Sequence, residues 1–401
     1  MKIAGSILNR PKGSDRWSII LEDGRDPATG KRRQKWHSFK GTRKEAQAER
    51  VRLLHETNDG SYIEPSKVTV SQWIDHWIEA GAPGRKKKKV GQRTLERYEE
   101  LLRVHVKPTL GARPLQKLAA TEIDRLYNAL EAKMAPMTLH HVHVTFNSCL
   151  STAERKGVLK VNPMNRAEQV PSGGESDHGI ALDESELATV VAGFRPSPVM
   201  YPIVALTAAI GARRNEVLAF RWSDLDVEKK TLRVERALDF TKKFGIGFKP
   251  PKTKRGLRTI ALDDGTMAML LKERERHQRL SAGIPDGVDV DLSLIRLPDD
   301  ALIFPNDPTA AATPRNPRNF SKEFARRAAR LGFPDLRFHD LRGTHATLML
   351  DRGVPVHVVA ERIGDDPAVL LRNYAKRKRQ NTADTSVSAI ISALAAGFLK
   401  A

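Results

Sequence analysis

Between residues 166 and 180 the chain reads Arg-Ala-Glu-Gln-Val-Pro-Ser-Gly-Gly-Glu-Ser-Asp-His-Gly-Ile, a proline- and glycine-interrupted run that no helix or strand pattern can cross. It divides 401 residues into two stretches of different texture, so one continuous core is excluded and the fold must be built from separate domains. Hydrophobic residues make up 40% of the chain, enough for a core on each side.

The pattern predicts a multidomain α+β protein. Residues 1–60 read as a small β-sheet with a helix. Trp17 to Leu21 and Gln34 to Phe39 have strand composition, and the turn-forming segment from Asp26 to Gly30 between them makes a hairpin the simplest assignment. Trp17 and Trp36 are expected in its core. Thr42 with Glu45 has the spacing of a reciprocal helix cap. Residues 66–165 read as a helical domain, with helices over Val70–Ile78, Thr94–Val106, Ala120–Leu130 and Thr138–Arg155 separated by prolines and glycines. After the linker, 181–383 read as a mixed, mainly α domain. It opens with a second acid cap at Asp183 and Glu186 and an apolar helix, Met200 to Ile210, that ends at Gly211. Residues 384–401 place Val387, Ile390, Ile391, Leu394 and Phe398 at helical spacing.

Charge points to the class of partner. Lys and Arg number 68 against 48 Asp and Glu, a net +20, which favours a polyanion and nucleic acid first. Arg85, Lys86, Lys87, Lys88 and Lys89 form one cluster, and Lys31, Arg32, Arg33 and Lys35 crowd the N-terminal module; both suit phosphate contacts that carry no base information. The single cysteine, Cys149, excludes an intrachain disulfide and a multi-cysteine zinc site. With no apolar signal core and no run long enough to cross a bilayer, the expected compartment is the cytoplasm. His140, His141 and His143 are read as packing residues, because no carboxylate or cysteine stands at ligand spacing. No glycine-rich nucleotide loop is present, so ATP is not implied, and neither cofactor nor metal is expected.

One set of residues implies chemistry beyond binding. Arg213 stands three residues before Glu216, whose carboxylate can hold the guanidinium rigid and leave its other edge for a phosphate. Lys252 in Pro-Lys-Thr lies before a predicted strand, as a mobile point charge or proton donor. His339 and Arg342, in His-Asp-Leu-Arg-Gly, sit near a predicted helix N-terminus, a position that favours an anion. Tyr374 follows a predicted helix over Val356–Ile363 closed by Gly364, with Pro367 starting the next. Two guanidiniums, an ammonium, an imidazole and a phenol suit cleavage of a phosphodiester by a protein nucleophile, since charge developing on the phosphate oxygens needs fixed positive partners.

On these motifs, Gly-Ala-Arg213-Arg-Asn-Glu216-Val-Leu, Pro-Lys252-Thr, His339-Asp-Leu-Arg342-Gly-Thr-His and Tyr374 ten residues after Gly364, the chain resembles the tyrosine recombinases, in particular phage-type integrases of the arm-binding, lambda-integrase-like kind. The resemblance implies an arm-type DNA-binding domain over 1–60, a core-binding domain over 66–165, a catalytic domain over 181–383 and a C-terminal element exchanged between subunits. It implies integration of a mobile element or phage genome through a 3′-phosphotyrosyl link made by Tyr374. Arg213 and Arg342 would clamp the phosphate, His339 assist proton transfer, Lys252 protonate the leaving oxygen and Glu216 support Arg213. Implied partners are double-stranded DNA with core and arm sites, a homotetramer on DNA, an excisionase and a host DNA-bending protein, with the nucleoid as the place of action. Asp365 departs from the pattern, standing where the family has His or Trp; a carboxylate there repels a phosphate unless protonated or paired with an arginine, so it is expected to turn away or buttress a cation. Competing readings are a binding-only regulator, which Asp365 favours, a topoisomerase of related chemistry, and a metal-dependent nuclease, for which Asp224 and Asp226 are too few carboxylates.

Overall fold

A computed structural model describes residues 5–9, 11–25, 29–84, 89–174, 179–251 and 254–378. The chain separates into two compact units, Met1–Ser176 and Asp177–Ala401, and the division falls inside the proline- and glycine-rich run.

In the first unit, β1 (Gly5–Asn9), β2 (Arg16–Arg25) and β3 (Arg32–Lys40) form an antiparallel sheet in that order. The expected hairpin is β2 and β3; β1 is an addition that pairs Ile7 with Ile19. One face packs Ile19 and Leu21 with Ile7 and Phe39 onto Leu53 of α1 (Arg43–Asn58). That helix begins with the Thr42 and Glu45 capping box. Trp36 corrects the expectation of two core tryptophans. It pairs with Ile20 across the sheet, and because side chains alternate along a strand it lies on the face opposite α1, 52% exposed. Trp17 is half-buried and donates its indole N–H to the Gly41 carbonyl at 2.9 Å.

The helices that follow are α2 (Val70–Glu79), α3 (Gln92–His105), the single turn α4 (Lys107–Leu110), α5 (Ala120–Glu131) and α6 (Pro136–Arg155). Thr69 and Gln72 cap α2 reciprocally. Trp73, Trp77, Leu102, Tyr127, Phe146 and Cys149 meet in one apolar core, and Trp73 Nε1 donates to the Cys149 carbonyl at 3.1 Å. His143 Nδ1 lies 3.2 Å from the Tyr127 hydroxyl and His140 Nδ1 lies 2.9 Å from the Pro171 carbonyl, both packing contacts.

The second unit runs α7 (Glu184–Gly193), α8 (Met200–Ile210), α9 (Arg214–Val217), β4 (Leu225–Asp226), β5 (Thr231–Val234), β6 (Ala237–Thr241), β7 (Gly245–Lys249), β8 (Arg258–Ala261), α10 (Asp264–Ser281), α11 (Pro317–Arg330), α12 (Asp340–Asp351), α13 (Val356–Ile363) and α14 (Pro367–Lys378). An antiparallel sheet of order β4-β5-β8 pairs Leu232 with Ile260, while β6 and β7 make a separate hairpin. The core joins Val204, Leu206 and Ile210 of α8 to Leu232, Ile260, Leu270, Phe324 and Leu341. Ala346, Val359, Ala360, Ile363 and Leu370 form a smaller cluster that ties α12, α13 and α14 together. No helix among the described residues is long and apolar enough to cross a membrane. The C-terminal segment 384–401 lies outside the described residues.

Candidate active site

Two helix stops build the site. The apolar helix α8 ends at Gly211, whose φ of 63° is left-handed and is adopted by glycine at no steric cost. A Cβ there would lie 2.6 Å from His345 Cδ2, so the position admits no side chain. Two residues later Arg213 caps α9, and Glu216 accepts from its backbone N–H and from its Nη1, both at 3.0 Å. The second stop is Gly364 after α13, with φ of 70°. Its turn aims the carbonyls of Ile363 and Gly364 and the carboxylate of Asp365 at the arginines.

Arg342 lies on the first turn of α12 and is 5% exposed. Its Nη1 donates to the Gly211 carbonyl at 3.0 Å and the Ile363 carbonyl at 2.6 Å, and its Nη2 donates to Asp365 Oδ2 at 2.9 Å. Arg213 Nη2 donates to the Gly364 carbonyl at 2.8 Å and lies 3.7 Å from Asp365 Oδ1. Residues 129 positions apart in sequence thus hold their guanidiniums on one loop. Burial, then the neighbouring charge of Arg213, pulls the Arg342 guanidinium down to about 10, against the opposing pull of Asp365; it stays a cation at neutral pH.

Beneath the pair, Glu216 is 2% exposed and also accepts from Arg258 Nη2 at 2.9 Å. Burial pushes the Glu216 carboxyl up, but Arg258 and Arg213 outweigh it and hold it below the ordinary carboxylate range. Arg258 is locked in turn, donating to the carbonyls of Arg362 at 2.7 Å and Gly256 at 3.1 Å. His345 lies on the adjoining wall, where Nδ1 meets the Ala208 carbonyl at 2.9 Å and Nε2 accepts from Arg362 Nε at 3.3 Å. These partners select the neutral tautomer with the proton on Nδ1. Burial, then the Arg362 charge, pushes this imidazole down to about 4.

Two further candidates lie on α12 and α14. His339 is the N-cap of α12 and is exposed, whereas Arg342, three positions on, is buried. Asp340, 1% exposed, accepts from the Arg337 backbone and guanidinium. Tyr374, half-buried on α14, donates its hydroxyl to Asp351 Oδ1 at 2.6 Å. Asp351 closes α12 two and a half turns beyond Arg342, about 13 Å along the axis at ~1.5 Å per residue. Lys252 lies outside the described residues, as do Arg85, Lys86, Lys87 and Lys88; Lys89 is exposed. Lys31, Arg32 and Arg33 are exposed, but Lys35 is half-buried, its ammonium 4.9 Å from the Tyr62 ring centroid, away from the face that carries Trp36. Among the described residues no group of three or more His, Cys, Asp or Glu could hold a metal ion.

Sequence reasoning did not find Arg258, Arg362, His345 or Asp351. Only a buried carboxylate that needs a second cation points to Arg258, and that need is invisible until Glu216 is known to be buried.

Residues 187–381 match the phage integrase family and residues 69–131 match the phage integrase N-terminal SAM-like domain. An integrase of Streptomyces ambofaciens is 28% identical over 91% of this chain and 90% of the relative. A tyrosine recombinase XerC-like protein of Caldanaerobacter subterraneus is 26% identical over 88% of this chain and 90% of the relative. The fold is similar to that of the Tn1549 transposon integrase in complex with a circular intermediate DNA, at 16% identity, TM-score 0.63, over 82% of this chain and 99% of that one. It is also similar to a subunit of the lambda integrase tetramer bound to a Holliday junction, at 18% identity, TM-score 0.53, over 90% and 91%. With the SAM-like and integrase domains in this order and a mixed α and β fold around the two arginines, the chain belongs to the phage integrase family of tyrosine recombinases.

Proposed function

We propose that this chain is a site-specific DNA recombinase, the integrase of a phage or other mobile element, and that Tyr374 is its nucleophile. The observation that carries the reading is the convergence of Arg213 and Arg342 on the Ile363 to Asp365 loop, with Glu216 and Arg258 locked beneath. Two fixed guanidiniums at one opening match the demand of a phosphodiester whose nonbridging oxygens gain charge at the transition state.

In the proposed reaction the Tyr374 oxygen attacks the scissile phosphorus and the bond to the 5′ oxygen breaks. A 3′-phosphotyrosyl link and a free 5′-hydroxyl result. The hydroxyl of a partner strand then attacks that link and restores the phenol. One phosphate ester replaces another at each step, so no external energy source is consumed. His339 assists proton transfer at the nucleophile, Lys252 protonates the leaving oxygen, and Glu216 holds Arg213 in register. The phenol gives up its hydrogen bond to Asp351 when it attacks.

Double-stranded DNA is the substrate. The basic N-terminal module, with Lys31, Arg32 and Arg33, serves arm-type sites, and Arg85 to Lys89 of the helical domain serve the core. A homotetramer on two duplexes, an excisionase and a host DNA-bending protein complete the assembly inside the bacterial cell. The test is incubation with a nicked duplex carrying the attachment core, in the presence of chelator. A covalent protein–DNA band that vanishes in Tyr374→Phe is the expected result. Tight binding with no band would reassign the chain to DNA binding alone, the reading that a carboxylate on the arginine pair favours.

A further inference from the structure

The loop between α13 and α14 lays one carboxylate across both guanidiniums. Asp365 Oδ2 is 2.9 Å from Arg342 Nη2 and Oδ1 is 3.7 Å from Arg213 Nη2. Each oxygen faces one arginine, as the two nonbridging oxygens of a phosphate would. The Asp365 side chain keeps 31% of its surface and Arg213 keeps 37%, whereas Arg342 keeps 6%. The carboxylate therefore stands at the mouth of the site rather than under it. Three guanidiniums, Arg213, Arg258 and Arg342, against two carboxylates, Glu216 and Asp365, leave one net positive charge, enough for a single phosphodiester.

We infer that Asp365 is a resident counter-anion, a positioning residue that occupies the arginine pair in the DNA-free protein and is displaced by the scissile phosphate. The inference rests on the recombinase reading above. Displacement leaves the arginines in place, because the Gly211, Ile363 and Gly364 carbonyls hold them independently of the carboxylate. The DNA sheds the cation condensed at that phosphate, but the freed carboxylate recruits one in its place and no anion is released, so this contact adds little to the salt dependence of binding. It also shuts out free phosphate, which lacks the rest of the duplex to help it compete.

The test uses the full chain with Tyr374→Phe, so that no covalent step intrudes, and a duplex selected from random sequence by binding to the unaltered protein. Affinity is measured over a series of KCl concentrations and, at constant ionic strength, with inorganic phosphate as competitor. With Asp365→Asn the arginines attract solution anions that DNA must expel. The log–log salt slope should steepen by about one, and phosphate should compete at about tenfold lower concentration. Asp365→Glu, which keeps the charge, should preserve the parental slope. If Asp365→Asn does not fold, Asp365→His answers the same question with the same sign. An unchanged or shallower slope with unchanged phosphate sensitivity overturns the inference, since a loop residue with a merely structural role gives that result. Adduct formation by the chain with Tyr374 intact is scored separately. An adduct with an unchanged slope removes only the counter-anion role; a steeper slope without any adduct removes only the nucleophile.

Discussion

Replacing Glu216 should weaken the site from beneath. Its side chain is 3% exposed and that of Arg258 is 5% exposed, at 2.9 Å, so the ion pair is shielded from water and from salt. Removing one partner of such a pair leaves an uncompensated buried charge, about 3–5 kcal/mol. Arg258 keeps two carbonyl acceptors, and Arg213, at 37% exposure, is resolvated cheaply, so the lower half of that range applies to Glu216→Gln. The pairwise share follows from a double-mutant cycle of Glu216→Gln and Arg258→Met, with a coupling of about 2–3 kcal/mol. Native-state hydrogen exchange on peptides from α9 and β8 reads the local opening free energy without requiring the whole chain to unfold in one step. A coupling below about 0.5 kcal/mol would mean that the two side chains act independently. The claim that the arginine platform is held from beneath would then fail.

Three more outcomes are expected. His345, neutral in the fold with its imidazole pushed down to about 4, takes a proton more readily when unfolded, so stability falls as pH drops through the ordinary histidine range and levels off near 4. The loss between pH 7 and 5 is on the order of 1–2 kcal/mol, and an unfolding series whose slope in this window is unchanged by His345→Gln would contradict it. Gly211→Ala should destabilise α8 and α12 by at least about 2 kcal/mol, combining left-handed strain with the contact on His345; a melting temperature within a degree of the parent would show that the turn relaxes. Asp351→Ala removes the acceptor that holds the Tyr374 hydroxyl, and the covalent adduct on a nicked duplex should form several-fold faster. Slower formation would instead make Asp351 a participant in proton transfer.

Much of this protein is written in contacts of three or four residues. The capping boxes at Thr42 and Asp183 and the helix stops at Gly211 and Gly364 stand where local spacing placed them, because a cap or a left-handed turn depends on nearest neighbours. The pairing of Arg213 with Glu216 is of the same kind. The short strand β1 was not legible, since Gly5 to Asn9 becomes a strand only by pairing with β2. Trp36 was misplaced because an aromatic residue in a strand signals burial without saying which face of the sheet is covered.

What the tertiary structure alone decided is how the charges combine. The sequence determined which groups are present and marked Asp365 as out of place among cations. That its two oxygens meet both arginines, that Arg258 answers Glu216 from a distant strand, and that Asp351 takes the tyrosine hydroxyl are consequences of chain crossings over tens to more than a hundred residues. Coulomb and hydrogen-bond energies depend on separation in space and on exclusion of water. Neither is defined until the helices that carry these residues have packed.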